Sequence, residues 1–131
     1  MDILLVDDSR TARIITKRCL ETIFNEKMIF HEAGNGLEAL AILSIEHIDI
    51  VLTDLNMPKL DGKGLIQKMQ IHTEVKDIPI VIISSIKQDI LEGKYKDMNI
   101  TAFISKPISP SKMLVLKDII PIDRGVKNEG K

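Results

Sequence analysis

The chain has 131 residues and a formal net charge of −1. That length suits one domain with a full core, and the charge balance removes the global basic bias expected of a partner for nucleic acid or anionic membrane. A single cysteine, Cys19, excludes an internal disulfide and fits a reducing cytoplasm, and no apolar stretch approaches the ~20 residues of a membrane-spanning helix.

The first element is Ile3-Leu4-Leu5-Val6, an unbroken apolar run as expected of a strand covered on both faces. It ends in Asp7-Asp8, and Ser9 is placed to cap a helix. On that helix Ala12, Ile15, Cys19 and Ile23 recur at spacings of three and four and predict its core-facing stripe. Arg10, Arg13, Lys17 and Arg18 read as its solvated face. Residues 28–33 read as a second strand, and Gly34-Asn35-Gly36 turns the chain. Asn35 with Glu38 three positions later resembles a capping box, so a second helix runs through Leu37, Leu40, Ala41 and Leu43.

Residues 48–53 are too short for a typical helix and rich in β-branched side chains, which predicts a buried third strand emerging at Asp54. Pro58 marks the loop that follows. Asp61-Gly62 opens a third helix to about residue 71, with Leu65, Ile66 and Met69 facing inward. Ile80-Val81-Ile82-Ile83 is the most uniformly apolar strand; it ends in Ser84-Ser85 and precedes a helix over residues 87–98. Ala102-Phe103-Ile104-Ser105 is a fifth strand ending in Lys106-Pro107. Ser109 as cap and Pro110 at the first helical position start a last helix. Met113, Leu116 and Ile120 face its core side, and Pro121 stops it. Residues 122–131 form a polar tail expected to fray. Cys19 reads as core packing, and His31, His47 and His72, which show no ligand spacing, read as structural or exposed.

Five repeats of strand then helix predict an α/β domain: a parallel sheet with helices on both faces and right-handed crossovers. In such sheets functional groups gather at the carboxyl ends of the strands. Those ends carry Asp7 and Asp8, Asp54, Ser84 and Lys106. Three carboxylates in one pocket repel, which raises at least one pKa unless a cation is present. Hard oxygen ligands of this kind suit Mg²⁺ or Mn²⁺. A lysine holds an anion as a point charge. Together these groups have the parts for moving a phosphoryl group onto Asp54 as an in-line nucleophile.

The segments Leu5-Val6-Asp7-Asp8-Ser9, Ala33-Gly34-Asn35-Gly36, Asp54-Leu55-Asn56-Met57-Pro58 with Asp61-Gly62, Pro79 through Ser85, and Ser105-Lys106-Pro107 resemble those of receiver domains of two-component response regulators. The likeness is greatest to the single-domain chemotaxis (CheY-like) type. It implies a doubly wound, flavodoxin-like (βα)5 fold with strand order 2-1-3-4-5, a receiver domain over residues 1–121 and a tail over 122–131. It implies Asp54 as phosphoacceptor, Asp8, Asp54 and the Asn56 carbonyl as direct Mg²⁺ ligands with Asp7 acting mainly through water, and Lys106 as a phosphoryl-oxygen contact. Ser84 stands at the family's hydroxyl switch position and Phe103 at its aromatic switch position, where the tyrosine hydroxyl is missing. Asn56 and Ile86 flank the path of attacking water and tune the lifetime of the phosphoryl group.

The function implied is a cytoplasmic, monomeric, stand-alone switch. It takes a phosphoryl group from a histidine kinase or histidine phosphotransfer protein and alters binding to a downstream target such as a motor switch protein, with no role for nucleic acid or membrane. The output face would be the fourth helix, fifth strand and fifth helix, with Leu114, Val115 and Ile119 exposed. Such a protein catalyses only its own phosphorylation and dephosphorylation. Three other readings compete. An aspartate-nucleophile phosphohydrolase would carry its acids as Asp-x-Asp on the first strand, whereas Asp7-Asp8 are adjacent. A nucleotide or flavin binder would carry a glycine- or hydroxyl-rich phosphate loop, which is missing. A receiver that works by binding alone has no need of the full acid, hydroxyl and lysine set.

Overall fold

The computed structural model describes residues 1–120. The expected tail, 122–131, lies outside the described residues. The apolar runs become five parallel strands: β1 (Asp2–Val6), β2 (Ile29–Ala33), β3 (Ile50–Thr53), β4 (Ile80–Ser84) and β5 (Ala102–Ser105). They assemble in the order β2-β1-β3-β4-β5, as the flavodoxin-like reading requires. The helices are α1 (Arg10–Ile23), α2 (Gly36–Ile45), α3 (Gly62–Gln70), α4 (Gln88–Lys94) and α5 (Pro110–Met113). Short 3-10 segments follow α4 at Lys96–Met98 and α5 at Leu114–Asp118.

Alternation along the strands divides the core in two. Leu4 and Val6 face a cluster with Leu65, Ile66, Met69, Leu91 and Tyr95, while Ile3 and Leu5 face one with Cys19, Leu20, Ile23, Met113 and Leu116. Leu65, Ile66 and Met69 are wholly buried, and each contributes about 1.5–3 kcal/mol by leaving water. The helix starts follow their caps. The side chains of Ser9, Asn35, Asp61 and Ser109 accept from the backbone N–H of Ala12, Glu38, Gly64 and Lys112. Glu38 Oε1 in turn accepts from the Gly34 N–H at 2.7 Å, one residue before the Asn35 N–H that a reciprocal box would use.

The structure corrects the sequence reading at four places. The buried stripe of α1 is Thr16, Cys19, Leu20 and Ile23; Ile15 lies about 90° from its centre on a 3.6-residue helix and is exposed. Thr16 can be buried because its hydroxyl donates to the Ala12 carbonyl at 3.0 Å. Arg13 and Lys17 are not simply solvated, since both pair with Glu32 on β2, at 2.8 and 3.0 Å. The helix expected over 87–98 ends at Lys94, just beyond Gly93, a residue that weakens helices; the 3-10 segment after it closes at Asn99 in the left-handed conformation. The last helix is one turn of α5 followed by a 3-10 segment. In 3-10 winding residues three apart eclipse, so Ile119 follows Leu116 toward the core and is half-buried, while Leu114 and Val115 are exposed as expected.

Candidate functional site

The chain order reverses between β1 and β3, and the register aligns Val6 with Thr53 there. Asp7 and Asp54 are the next residue on each strand, so the two carboxylates meet at the carboxyl edge of the sheet. Backbone hydrogen bonds continue the ladder through them: Asp54 N–H donates to Val6 O at 2.9 Å, and Asp7 N–H to Ala33 O at 3.0 Å. On the far side of β3, β4 aligns Ser84 with Ser105 of β5. Lys106 N–H then donates to Ser84 O at 2.9 Å, which carries the lysine to the same rim. The Lys106–Pro107 peptide bond is cis.

The Lys106 ammonium donates to Asp54 Oδ2 at 3.0 Å and to Asp7 Oδ2 at 3.1 Å. The second oxygens are engaged as well: Asp54 Oδ1 accepts from Leu55 N–H at 2.7 Å, and Asp7 Oδ1 from Ser9 N–H at 2.9 Å. Both carboxylates are therefore fixed in direction. Asp8 is exposed beside them, and one oxygen each from Asp7, Asp8 and Asp54 falls within a 4.8 Å cluster. The cation that three neighbouring acids call for is thus built in as Lys106. Burial alone would push the Lys106 pKa down. The hydrogen bonds and charges of Asp54 and Asp7 outweigh burial and hold it above its ordinary value.

The other expected residues surround this centre. Ser84 is buried and its hydroxyl accepts from the Ile86 N–H at 3.1 Å, so in this state it caps the turn after β4. Ile86 and Phe103 are half-buried and pack on the core cluster of Leu4 and Leu91, and Asn56 is exposed in the loop after Asp54. One contributor has no signal in the sequence. Arg13 of α1 hydrogen-bonds the Asp7 carbonyl while its Nε holds Glu32. Hydrogen bonds from Arg13 and then Lys17 hold the Glu32 carboxyl below the usual range against the opposing effect of burial. The basic face of α1 thus braces the backbone under the acidic rim.

Three carboxylates converging on one rim, with both oxygens of two of them already oriented, form a hard-oxygen donor set that suits a small divalent cation. The response regulator receiver domain profile matches residues 3–117. The chain belongs to that family. It is 31% identical to the chemotaxis protein CheY1 of Helicobacter pylori over 131 residues, covering 98% of this chain and all of that one. It is also 31% identical to the sensor histidine kinase CheAY of the same organism over 132 residues, where it spans only 15% of that much longer protein. Among solved structures, the chemotaxis response regulator CheY4 of Vibrio cholerae superposes with a TM-score of 0.78 over 91% of this chain and 97% of that one; at 24% identity this likeness shows the fold alone. Membership of the receiver family, with chemotaxis-protein relatives, supports the response-regulator reading over the nucleotide-binding and phosphohydrolase ones.

Proposed function

We propose that this receiver domain acts as a stand-alone, chemotaxis-type response regulator in which Asp54 accepts a phosphoryl group from a phosphohistidine on a kinase or phosphotransfer protein. The observation that carries the reading is the Lys106 ammonium held against both Asp54 and Asp7, with Asp8 completing the acidic cluster. An Asp54 carboxylate oxygen attacks phosphorus, the P–N bond to the donor imidazole breaks, and the donor leaves as histidine. Lys106, already at the rim, follows one phosphoryl oxygen and offsets its charge. Asp7, Asp8 and Asp54 with the Asn56 carbonyl would hold Mg²⁺, whose charge stabilises the equatorial oxygens. Ser84 then exchanges its hydrogen bond with Ile86 N–H for one to the phosphoryl group, and Phe103 repacks. The resulting shift in population alters the face of α4, β5 and α5, where Ile90, Leu114 and Val115 are exposed.

The test is intact mass after incubation with acetyl phosphate and Mg²⁺, beside Asp54→Asn and a chelated control. One added phosphoryl group is expected, absent in both controls. Consumption of the donor without a trapped adduct points to rapid turnover. A donor left untouched under every condition refutes the acceptor role.

Ile86 gives a second expectation. It is half-buried next to the turn that Ser84 caps, so an apolar side chain there keeps water from the acyl phosphate. Ile86→Glu should speed loss of the phosphoryl group by about tenfold, the equivalent of ~1.4 kcal/mol of barrier. The decay of the phosphorylated mass peak measures it, and an unchanged decay rate removes Ile86 from this role.

A further inference from the structure

The opposite edge of the sheet carries a second convergence of ligating groups. Asp2 opens β1, Asp49 lies just before β3, and Asp49 N–H donates to Asp2 O at 2.8 Å, which locks the two strand starts together. The Asp2 N–H donates in turn to Asp49 Oδ2 at 2.7 Å and aims that carboxylate at Asp2. Two imidazoles face the pair. His31 Nε2 lies 2.9 Å from Asp2 Oδ1, and His47 Nε2 lies 2.8 Å from Asp49 Oδ1. One ligand atom from each of Asp2, His47 and Asp49 falls within 4.8 Å of the others. Asp7 lies five residues along β1 from Asp2, or about 16 Å at the rise of a strand, so this cluster is separate from the acidic rim.

We propose that Asp2, His47 and Asp49 form a transition-metal site that takes Zn²⁺, with His31 outside the ligand set and holding Asp2. An imidazole nitrogen with two carboxylate oxygens, completed by water, is a donor set that favours zinc-like dications over Mg²⁺, in contrast to the all-oxygen rim at the other end of the sheet. Zinc with bonds of about 2.0–2.2 Å places neighbouring ligand atoms about 3.4 Å apart. The present separation of 2.8 Å between the His47 nitrogen and the Asp49 oxygen needs only a small opening of that pair. His47 is the member free of packing, with a side chain 77% exposed, while Asp49 is held by the Asp2 backbone. On binding, His47 presents a lone pair to the metal in place of the proton it now shares with Asp49, while His31 keeps its hydrogen bond to Asp2 and orients that ligand. The ion ties the start of β1 to the residues that lead into β3.

The experiment is competition of the untagged chain against a chromophoric zinc indicator, with millimolar Mg²⁺ present to occupy the acidic rim. Wild type is compared with His47→Ala, His31→Gln and Asp54→Asn. One zinc per chain is expected, weakened at least about tenfold by either histidine change and unaffected by Asp54→Asn. Co²⁺ as a probe should give the strong visible bands of a four-coordinate site, lost in His47→Ala. His47 is exposed, so circular dichroism of that variant should match wild type and leave its result interpretable. Zinc binding that survives His47→Ala, that is lost in Asp54→Asn, or that Mg²⁺ displaces would overturn the proposal and leave His31 and His47 as ion-pair partners only.

Discussion

Lys106→Met should lower stability by about 1–3 kcal/mol in the absence of Mg²⁺, and added Mg²⁺ should recover more stability in the variant than in wild type. Lys106 is the ammonium in hydrogen-bond contact with two carboxylates that are each largely withdrawn from water, with side-chain exposures of 12% for Asp7 and 13% for Asp54. Breaking a fully buried pair by removing one partner typically costs 3–5 kcal/mol. Lys106 itself is a quarter exposed, which reduces the penalty. Without it, Asp7, Asp8 and Asp54 repel with no cation among them, and a divalent ion becomes the remaining source of compensation. Urea unfolding with Mg²⁺ and with chelator measures both parts. Equal midpoints for variant and wild type under chelation would show that the lysine contributes no net stability.

The pH dependence has a definite sign. The folded-state pKa of Lys106 lies above its ordinary value near 10.5. Its contribution is therefore complete below that value and fades only as pH rises through the folded pKa. The stability gap between wild type and Lys106→Met should stay level from neutral pH to about 10 and close at stronger alkalinity. Phosphoryl uptake from acetyl phosphate should fall by about a hundredfold or more, since one preorganised charge at the developing negative oxygens is gone.

The acidic rim was legible because its residues sit directly after strands that announce themselves. Val6, Thr53 and Ser84 end apolar runs, and in a parallel sheet every such run ends at the same edge. Strand order entered through the family resemblance, since periodicity alone does not say which strand lies beside which. Helix interiors were less readable. The stripe Ala12, Ile15, Cys19 and Ile23 satisfies the spacing rule, yet the buried face includes Thr16, whose hydroxyl is satisfied within its own helix. A hydropathy pattern counts that residue as polar and rotates the predicted face.

Long-range polar contacts left the weakest trace. Arg13 reaches Glu32, nineteen residues away, and the Asp7 backbone. His31 and His47 show no ligand spacing along the chain, yet β1, β2 and β3 bring Asp2 and Asp49 against them. Spacing rules detect metal ligands on one helix or one loop. They are blind to candidate ligands gathered from the start of one strand and the approach to another, and only the β1-β3 adjacency reveals such a set.

That same dependence on close backbone packing makes Gly62→Ala the second large effect expected. A Cβ at Gly62 would stand 2.2 Å from the carbonyl oxygen of Asp54 and 2.8 Å from Leu55 Cα. Both neighbours are backbone, so no side-chain rotation relieves the clash. The Gly62 N–H also donates to Leu55 O at 2.9 Å, which ties the start of α3 to the loop that follows Asp54. To fit a methyl group, either α3 must lift from a core that wholly buries Leu65, Ile66 and Met69, or the backbone of Asp54 must move. Overpacking of this kind costs about 1–3 kcal/mol and sometimes more. A displacement of about 1 Å at a reacting group can cost a further hundredfold in rate. Gly62→Ala should therefore unfold at lower urea and, where still folded, take up phosphoryl groups far more slowly. Gly93→Ala is the matched control. Gly93 is exposed on α4, and a methyl group added there would meet nothing within 4 Å, so alanine should raise stability by about 0.5–1 kcal/mol through helix propensity. If the two alanine variants unfold together, the close approach of α3 to the Asp54 backbone carries no energetic weight. If they separate in the stated directions, the glycine after Asp61 is what lets α3 start against the loop that follows Asp54.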